Sequence, residues 1–234
     1  MKNFPTLIFQ FGKVGSTLLT KALGGHYLID PRDKYSDNFC IQAHSHNLVR
    51  DILEKTNVRI KMIVPIRFPI HRNISAFFEG IHKHFELPKG DILNLSHNVL
   101  EEKFRCGELD TSISWINQWV DSAIDILSDA FLLGGFDFQN PYRIITSNRL
   151  DILVVRMEDV EKWPEYLKMF FGAKIEMPKI HNMIGTQRWY GGLYKRFLNQ
   201  YKISSEEASS IRQSKYVATY YSDEEIGKYI GDFS

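Results

Sequence analysis

The stretch LIFQFGKVGSTLLTKAL, residues 7–23, decides the fold. Residues 6–11 form an apolar, β-prone run, the glycines at 12 and 15 break it, and residues 16–23 carry helix formers up to a stop at Gly24-Gly25. A strand that passes through a glycine turn into a helix opens an α/β unit. Such a turn offers backbone N–H groups and the positive end of a helix dipole to an anion. Gly12 and Gly15 give the backbone its freedom, Val14 lies between them, Ser16 and Thr17 supply hydroxyls, and Lys13 adds a charge. The nucleotide-triphosphate loop, G-x-x-x-x-G-K-[ST], does not fit, because Gly12 and Gly15 are too close and the lysine stands between them. The turn is therefore either an anion site of another kind or a plain strand-to-helix turn with Ser16 as N-cap.

Outward from this stretch, strand and helix signals alternate. A short strand is expected at 26–29, a clear one at 38–43, a helix at 47–55 and a third strand at 59–66. Pro69 then opens a helix to about residue 85, since proline is tolerated in a first turn. This alternation predicts a parallel sheet with helices on its faces, where ligands bind beyond the carboxyl ends of the strands. Residues 12–17, 44–46 and 67–75 each follow an expected strand, so the fold should carry them to one rim. Residues 86–133 read as mostly helical, with Trp115 and Trp119 four apart on one core-packed face. Strands are expected at 142–146 and 150–156 around a turn at Ser147-Asn148, followed by a helix ending near Gly172 and helical patches from 191 to 232. The whole chain, 1–234, reads as one domain.

Bulk composition narrows the function classes. The 234 residues are 44% hydrophobic and 24% charged, which excludes disordered and fibrous chains. With 29 basic and 28 acidic residues the net charge is +1, so nothing draws the chain globally to nucleic acid or an anionic membrane. Any anion must be held by a local arrangement. Two cysteines, Cys40 and Cys106, are too few for a disulfide framework and are read as reduced. The N-terminal apolar run is too short to span a bilayer and no cleavage site follows it, so no membrane span and a cytoplasmic location are expected.

A second segment, VPIRFPIHRNISAFFEG at 64–80, sets Arg67 at the end of a strand and Ser75 eight residues later on the helix opened by Pro69. An arginine fork and a serine hydroxyl can together grip a phosphate, while Phe77 and Phe78 belong to the core.

Together these motifs resemble the PAPS-dependent sulfotransferases. Gly12-Lys13-Val14-Gly15-Ser16-Thr17 is similar to the family's 5′-phosphosulfate loop, and Arg67 with Ser75 resembles its 3′-phosphate element, spacing included. Leu153-Val154-Val155-Arg156-Met157-Glu158-Asp159 resembles a late strand and acidic turn of these proteins, and YVATYYSDEEI at 216–226 is similar to carbohydrate sulfotransferase-like chains. The likeness covers residues 7 to about 80 well and 86–140 thinly. Phe68 departs from it, since the family often has aspartate before the proline.

The resemblance implies a three-layer parallel sheet flanked by helices, a P-loop-like sulfotransferase fold with helical insertions. It implies 3′-phosphoadenosine 5′-phosphosulfate (PAPS) as donor, the bisphosphate PAP as product, no metal, and a small-molecule or carbohydrate hydroxyl as acceptor. In-line displacement at sulfur calls for a cation at the leaving oxygen and a base at the acceptor. Lys13 is the cation, and His44 or His46, just after the second strand, is the base. Both histidines stay in play, because the family carries single and paired patterns there. A His-x-His pair can also bind metal, but no carboxylate or cysteine at ligand spacing accompanies it. The family closes its nucleotide site with a late basic, glycine-containing loop. Within IGTQRWYGGLYKRF at 184–197, the resemblance gives Gly185, Thr186, Gln187 and Arg188 to the 3′-phosphate, with Trp189 free to stack on adenine or line an acceptor groove. Arg156, Glu158 and Asp159 are read as structural. Two other readings compete: a kinase with an atypical P-loop, for which no acidic magnesium ligand follows a strand, and a non-catalytic nucleotide-binding protein.

Overall fold

Strand β1 (Thr6–Phe9) is buried along its whole length, as an unbroken apolar run must be when both faces of a sheet are covered. It pairs in parallel with β2 (Cys40–Ala43) on one side and β3 (Ile60–Ile66) on the other. Beyond β3, β5 (Leu150–Arg156) is also parallel, and β4 (Tyr142–Thr146) runs antiparallel at the edge, giving the order β2-β1-β3-β5-β4. The protein is thus α/β, with a five-stranded, mostly parallel sheet flanked by helices, compatible with a three-layer arrangement. The computed structural model describes residues 5–24, 40–106, 112–127, 135–147, 149–178 and 185–234. The strand expected at 26–29, the start of the one at 38–43 and Asn148 lie outside the described residues.

Edge strand β4 corrects the expectation of a wholly parallel sheet. Only residues 147–149 join it to β5, far too few for a parallel crossover. The Ser147 N–H and hydroxyl both donate to the Leu150 carbonyl, at 2.9 Å each.

The order steps from β1 to β2 and then back across β1 to β3, so it reverses at the β1–β3 pair. In doubly wound sheets that reversal is where ligands bind. Pairing of β1 with β3 runs from Thr6–Lys61 to Ile8–Ile63 and ends there. Two residues further on β3 stands Pro65, which has no N–H to extend a ladder. The Gln10 N–H instead donates to Ala43 of β2 at 3.1 Å, while β3 stays paired with β5 as far as Ile66–Arg156.

Helices α1 (Ser16–Ala22) and α2 (His46–Lys55) follow β1 and β2. The single helix expected at 69–85 is two, α3 (Pro69–Glu79) and α4 (Ile81–Phe85). They divide at Gly80, whose N–H closes α3 on Ala76 and whose carbonyl accepts from Lys83. Glycine is a poor interior helix residue by about 1 kcal/mol, so the break falls there. The helical middle consists of α5 (Lys89–Leu93), α6 (His97–Arg105) and α7 (Ile113–Leu127). After β5 a 3-10 turn, Met157–Lys162, leads into α8 (Trp163–Phe171), which stops at Gly172 with φ 69°. A second 3-10 turn, Gly185–Gln187, precedes α9 (Gly191–Gln200), α10 (Ser205–Gln213), α11 (Lys215–Tyr220) and α12 (Asp223–Gly231). Capping boxes at Ser204/Glu207 and Ser222/Glu225 fix the starts of α10 and α12.

The chain divides into two compact units, Met1–Arg67 with Trp119–Pro178, and Phe68–Gln118 with Lys179–Ser234. The first holds the sheet, with Leu7, Phe9, Leu19, Ile63, Val154 and Trp163 in its core. Trp119 belongs there, 4.6 Å from Phe9 and 5.0 Å from Phe11 between ring centres. The second is helical and its core is aromatic, with Phe77, Phe104, Phe197 and Tyr201 at mutual contact. Trp115, expected to share a core face with Trp119, is instead half-buried in the second unit beneath the Arg72 guanidinium at 4.5 Å. Phe68 is fully buried against Tyr221 and Tyr229, and makes no side-chain cap for α3. Phe68 thus contributes core packing rather than a helix cap.

Both cysteines are free thiols, and burial pushes that of Cys40 up to about 12. Among the described residues no helix is long and apolar enough to cross a membrane.

Candidate functional site

Between β1 and α1 the backbone takes an unusual path. Gly12, Lys13 and Gly15 all have positive φ, at 89°, 60° and 84°. Glycine adopts these angles without penalty, but a lysine held there stores about 1–3 kcal/mol, a cost met at ligand-binding turns. Val14 is fully buried and pins the loop to the core. Gly15 has Trp163 and Met157 packed against it so closely that a Cβ would lie 2.6 Å from Trp163 Cη2 and from Met157 Sδ. The Gly15 carbonyl accepts from Leu18 and Leu19 as α1 begins. Among the described residues, none accepts a hydrogen bond from the N–H of Val14, Gly15 or Ser16.

Arg67, the first residue past β3, reaches this loop. Its Nη1 donates to the Lys13 carbonyl at 3.1 Å, across the pair of strands where the order reverses. The loop and Arg67 therefore meet within the first unit, at the carboxyl ends of β1 and β3.

His44 joins them from β2. It is exposed, immediately past the strand end, and is contacted by two glutamines. Gln10, fully buried, accepts the Gly12 N–H through Oε1 and sets Nε2 2.6 Å from His44 Nε2 and 3.0 Å from Nδ1. Gln42 donates through Nε2 to Ser16 Oγ at 2.9 Å and lies 3.3 Å from His44 Nε2. Thr20 closes the network, its hydroxyl within 2.9 Å of the Ser16 carbonyl and 3.1 Å of Gln42 Oε1.

His46 has other partners. It is the first residue of α2, with Nε2 donating to the Trp119 carbonyl at 3.0 Å and its ring against Phe9 and Trp119. Burial holds it below the usual histidine range, opposed by the hydrogen bond to Trp119.

Ser75 and residues 185–189, also singled out from sequence, lie in the second unit. Ser75 is half-buried on α3, and α3 packs against the Gly185–Gln187 turn. Gly185 and Thr186 are half-buried, while Gln187, Arg188 and Trp189 are exposed. A Cβ at Gly191 would come 2.1 Å from the Thr186 carbonyl, so the turn fits only glycine there. Tyr190 anchors it by donating to Glu79 Oε2 at 3.2 Å. Arg156 and Asp159 form a 2.6 Å ion pair, and the Trp163 indole donates to the Arg156 carbonyl. These contacts hold the turn whose Met157 and Trp163 pack against Gly15.

Sequence reasoning missed Gln10, Gln42 and Thr20. A glutamine closing an apolar strand is a weak signal by itself, and burial next to a glycine loop is its only hint. No protein-family model matches this sequence, and none of the curated proteins does.

Proposed function

We propose that this protein is a sulfotransferase, moving a sulfuryl group from PAPS to a hydroxyl of a carbohydrate, glycoconjugate or small molecule, on a P-loop-like sulfotransferase fold. The observation that carries the reading is the hydrogen bond from Arg67 to the Lys13 carbonyl at the strand-order reversal, which joins the two motifs of the resemblance. The strained lysine, the N–H groups of Val14, Gly15 and Ser16, and His44 tied to the same loop support it.

The donor supplies an activated sulfur whose bond to the bridging oxygen breaks, its electron pair leaving with the bisphosphate. The loop N–H groups and Lys13 oppose the charge that grows on that oxygen, and preorganised donors of this kind contribute about 3–4 kcal/mol each. The His44 ring takes the hydroxyl proton as the acceptor oxygen bonds to sulfur, and passes it to solvent, to which the ring is exposed. His46 is the poorer base, since its ring is packed against Phe9 and Trp119 and burial disfavours its protonated form.

Thermal melting with adenosine 3′,5′-bisphosphate against ATP plus magnesium tests this reading, because a ligand of the native state raises Tm by mass action. Stabilisation by the bisphosphate without metal is expected. Stabilisation only by ATP with magnesium would favour a kinase and end the proposal. Transfer of label from radiolabelled donor to an acceptor panel then separates an enzyme from a nucleotide-binding protein.

A further inference from the structure

Strand β4 ends the sheet, and the backbone on its outer side is open. Its pairing with β5 runs without a bulge from Tyr142–Val155 to Thr146–Asp151. Next in this register, the Ser147 N–H donates to the Leu150 carbonyl, and hydrogen-bonded pairs in an antiparallel ladder alternate with unbonded ones. Arg143 and Ile145 therefore commit their N–H and C=O groups to Val154 and Ile152, while those of Tyr142, Ile144 and Thr146 point away from the sheet. The Tyr142 N–H turns back to the Asn140 carbonyl at 2.6 Å. Among the described residues, nothing pairs with the outward N–H and C=O groups of Ile144 and Thr146.

The side chains beside this open ladder are apolar. Tyr142, Ile144 and Thr146 share a face of the sheet, where Tyr142 lies 4.6 Å from Tyr166 between ring centres and 3.8 Å from Met169 Sδ through its hydroxyl. Ile144 and Met169 are nevertheless 41% and 45% exposed. Edge strands are ordinarily guarded by a proline, a lysine or a bulge, and β4 contains none of these. Its one charge, on Arg143, belongs to the opposite face and is half-buried.

We propose that β4 pairs antiparallel with β4 of a second copy of this chain, about a two-fold axis at Ile144. The outward-facing set, 142, 144 and 146, is symmetric about Ile144, so the axis gives every member a partner. The two Ile144 residues exchange both backbone hydrogen bonds, and each Thr146 N–H donates to the partner's Tyr142 carbonyl. Arg143 then faces the partner's Ile145, and no like charges stand opposite one another. Sliding the strands by two residues one way opposes the two arginines, which is unfavourable. Sliding them the other way leaves Tyr142 without a partner inside the strand. Because the axis stands perpendicular to the sheet, Ile144 and Met169 of both copies lie on the same face along the seam, and the five strands of each copy join in one continuous sheet. The interface uses no residue of the β1–α1 loop, and β5 and β3 separate it from β1, so it is independent of the proposed chemistry.

The wild-type protein provides the first test. Sedimentation velocity up to about 0.5 mM should show a reversible monomer–dimer equilibrium, since an interface of this small size is weak. A monomer throughout, or open-ended assembly beyond the dimer, would overturn the proposal. Ile144→Lys sets two lysines face to face and should weaken association tenfold or more while leaving the urea midpoint of the monomer unchanged. A dimer that persists undiminished would place the interface elsewhere. The register is read by oxidative crosslinking in a Cys106→Ser background, since Cys106 is exposed. In Ile144→Cys the paired Cα atoms lie about 5.5 Å apart, within disulfide reach, whereas in Arg143→Cys they lie about 8 Å apart, beyond it. Ile144→Cys should therefore crosslink, and Arg143→Cys should do so at least tenfold more slowly. Equal rates, or the reverse order, would overturn the pairing about Ile144.

Discussion

Replacing Gly15 by alanine puts two separable penalties on the loop. The first is backbone strain, because a residue with a Cβ at φ 84° costs about 1–2 kcal/mol. The second is steric, since the new Cβ would lie 2.6 Å from both Met157 Sδ and Trp163 Cη2. The methionine sulfur can swing away. The indole cannot, being fully buried and held by its N–H on the Arg156 carbonyl at 2.9 Å. Forcing a methyl into such a contact costs about 1–3 kcal/mol, so the total is about 2–5 kcal/mol. In a chain of this size about 2–4 °C of Tm is lost per kcal/mol, which gives a drop of about 4–20 °C. Gly24 is the internal control. It has φ 66° but nothing within 4 Å of its would-be Cβ, so Gly24→Ala bears the strain alone, about 1–2 kcal/mol and a drop of about 2–8 °C. Urea and thermal melts of the three proteins are the assay. Equal shifts for the two variants would show that Trp163 does not brace the loop, and the account of why Gly15 is glycine would fall.

Other substitutions probe the proposed chemistry. Lys13→Ala should lower kcat by about two to three orders of magnitude while leaving the fold intact, as for loss of one preorganised donor; a change under tenfold removes the lysine from the transition state. Arg67→Ala should weaken adenosine 3′,5′-bisphosphate far more than the 5′-monophosphate in calorimetric titrations, and equal losses would cancel its assignment to the 3′-phosphate. The same pair of ligands tests Ser75→Ala and Arg188→Ala, the roles the resemblance implies for the second unit. His46 titrates below its unfolded value of 6.5, so its neutral ring stabilises the fold above that pH and the contribution is lost as pH falls through the folded value. His46→Gln keeps a donor for the Trp119 carbonyl but cannot titrate, and should show a flatter fall of urea midpoint below pH 6.5 than wild type.

What could be read from the sequence follows the range of the interactions involved. The β1–loop–α1 unit was legible because its signals lie within one short stretch, and Arg67 because it ends an uninterrupted β-prone run. β4 and β5 were legible as strands, but the direction of β4 depends on three connecting residues whose meaning is geometric. The break at Gly80 was hidden by the apolar pattern on either side of it. Gln10 and Gln42 escaped notice because their partners are set by strand register. Phe9 stands opposite Ala43, which aligns the two glutamines with residues more than twenty positions away. Between His44 and His46 the sequence offered no choice, since only the turn from β2 into α2 sends one ring towards Gln10 and the other towards Trp119.

Pro65 carries a wider consequence. A residue unable to donate, seated where the central strands would otherwise continue zipping together, leaves β1 free to lean on β2 before any small molecule arrives. That end of the ladder is written into the covalent chain, so a guest bound where the strand order reverses would lose little affinity to unzipping the sheet.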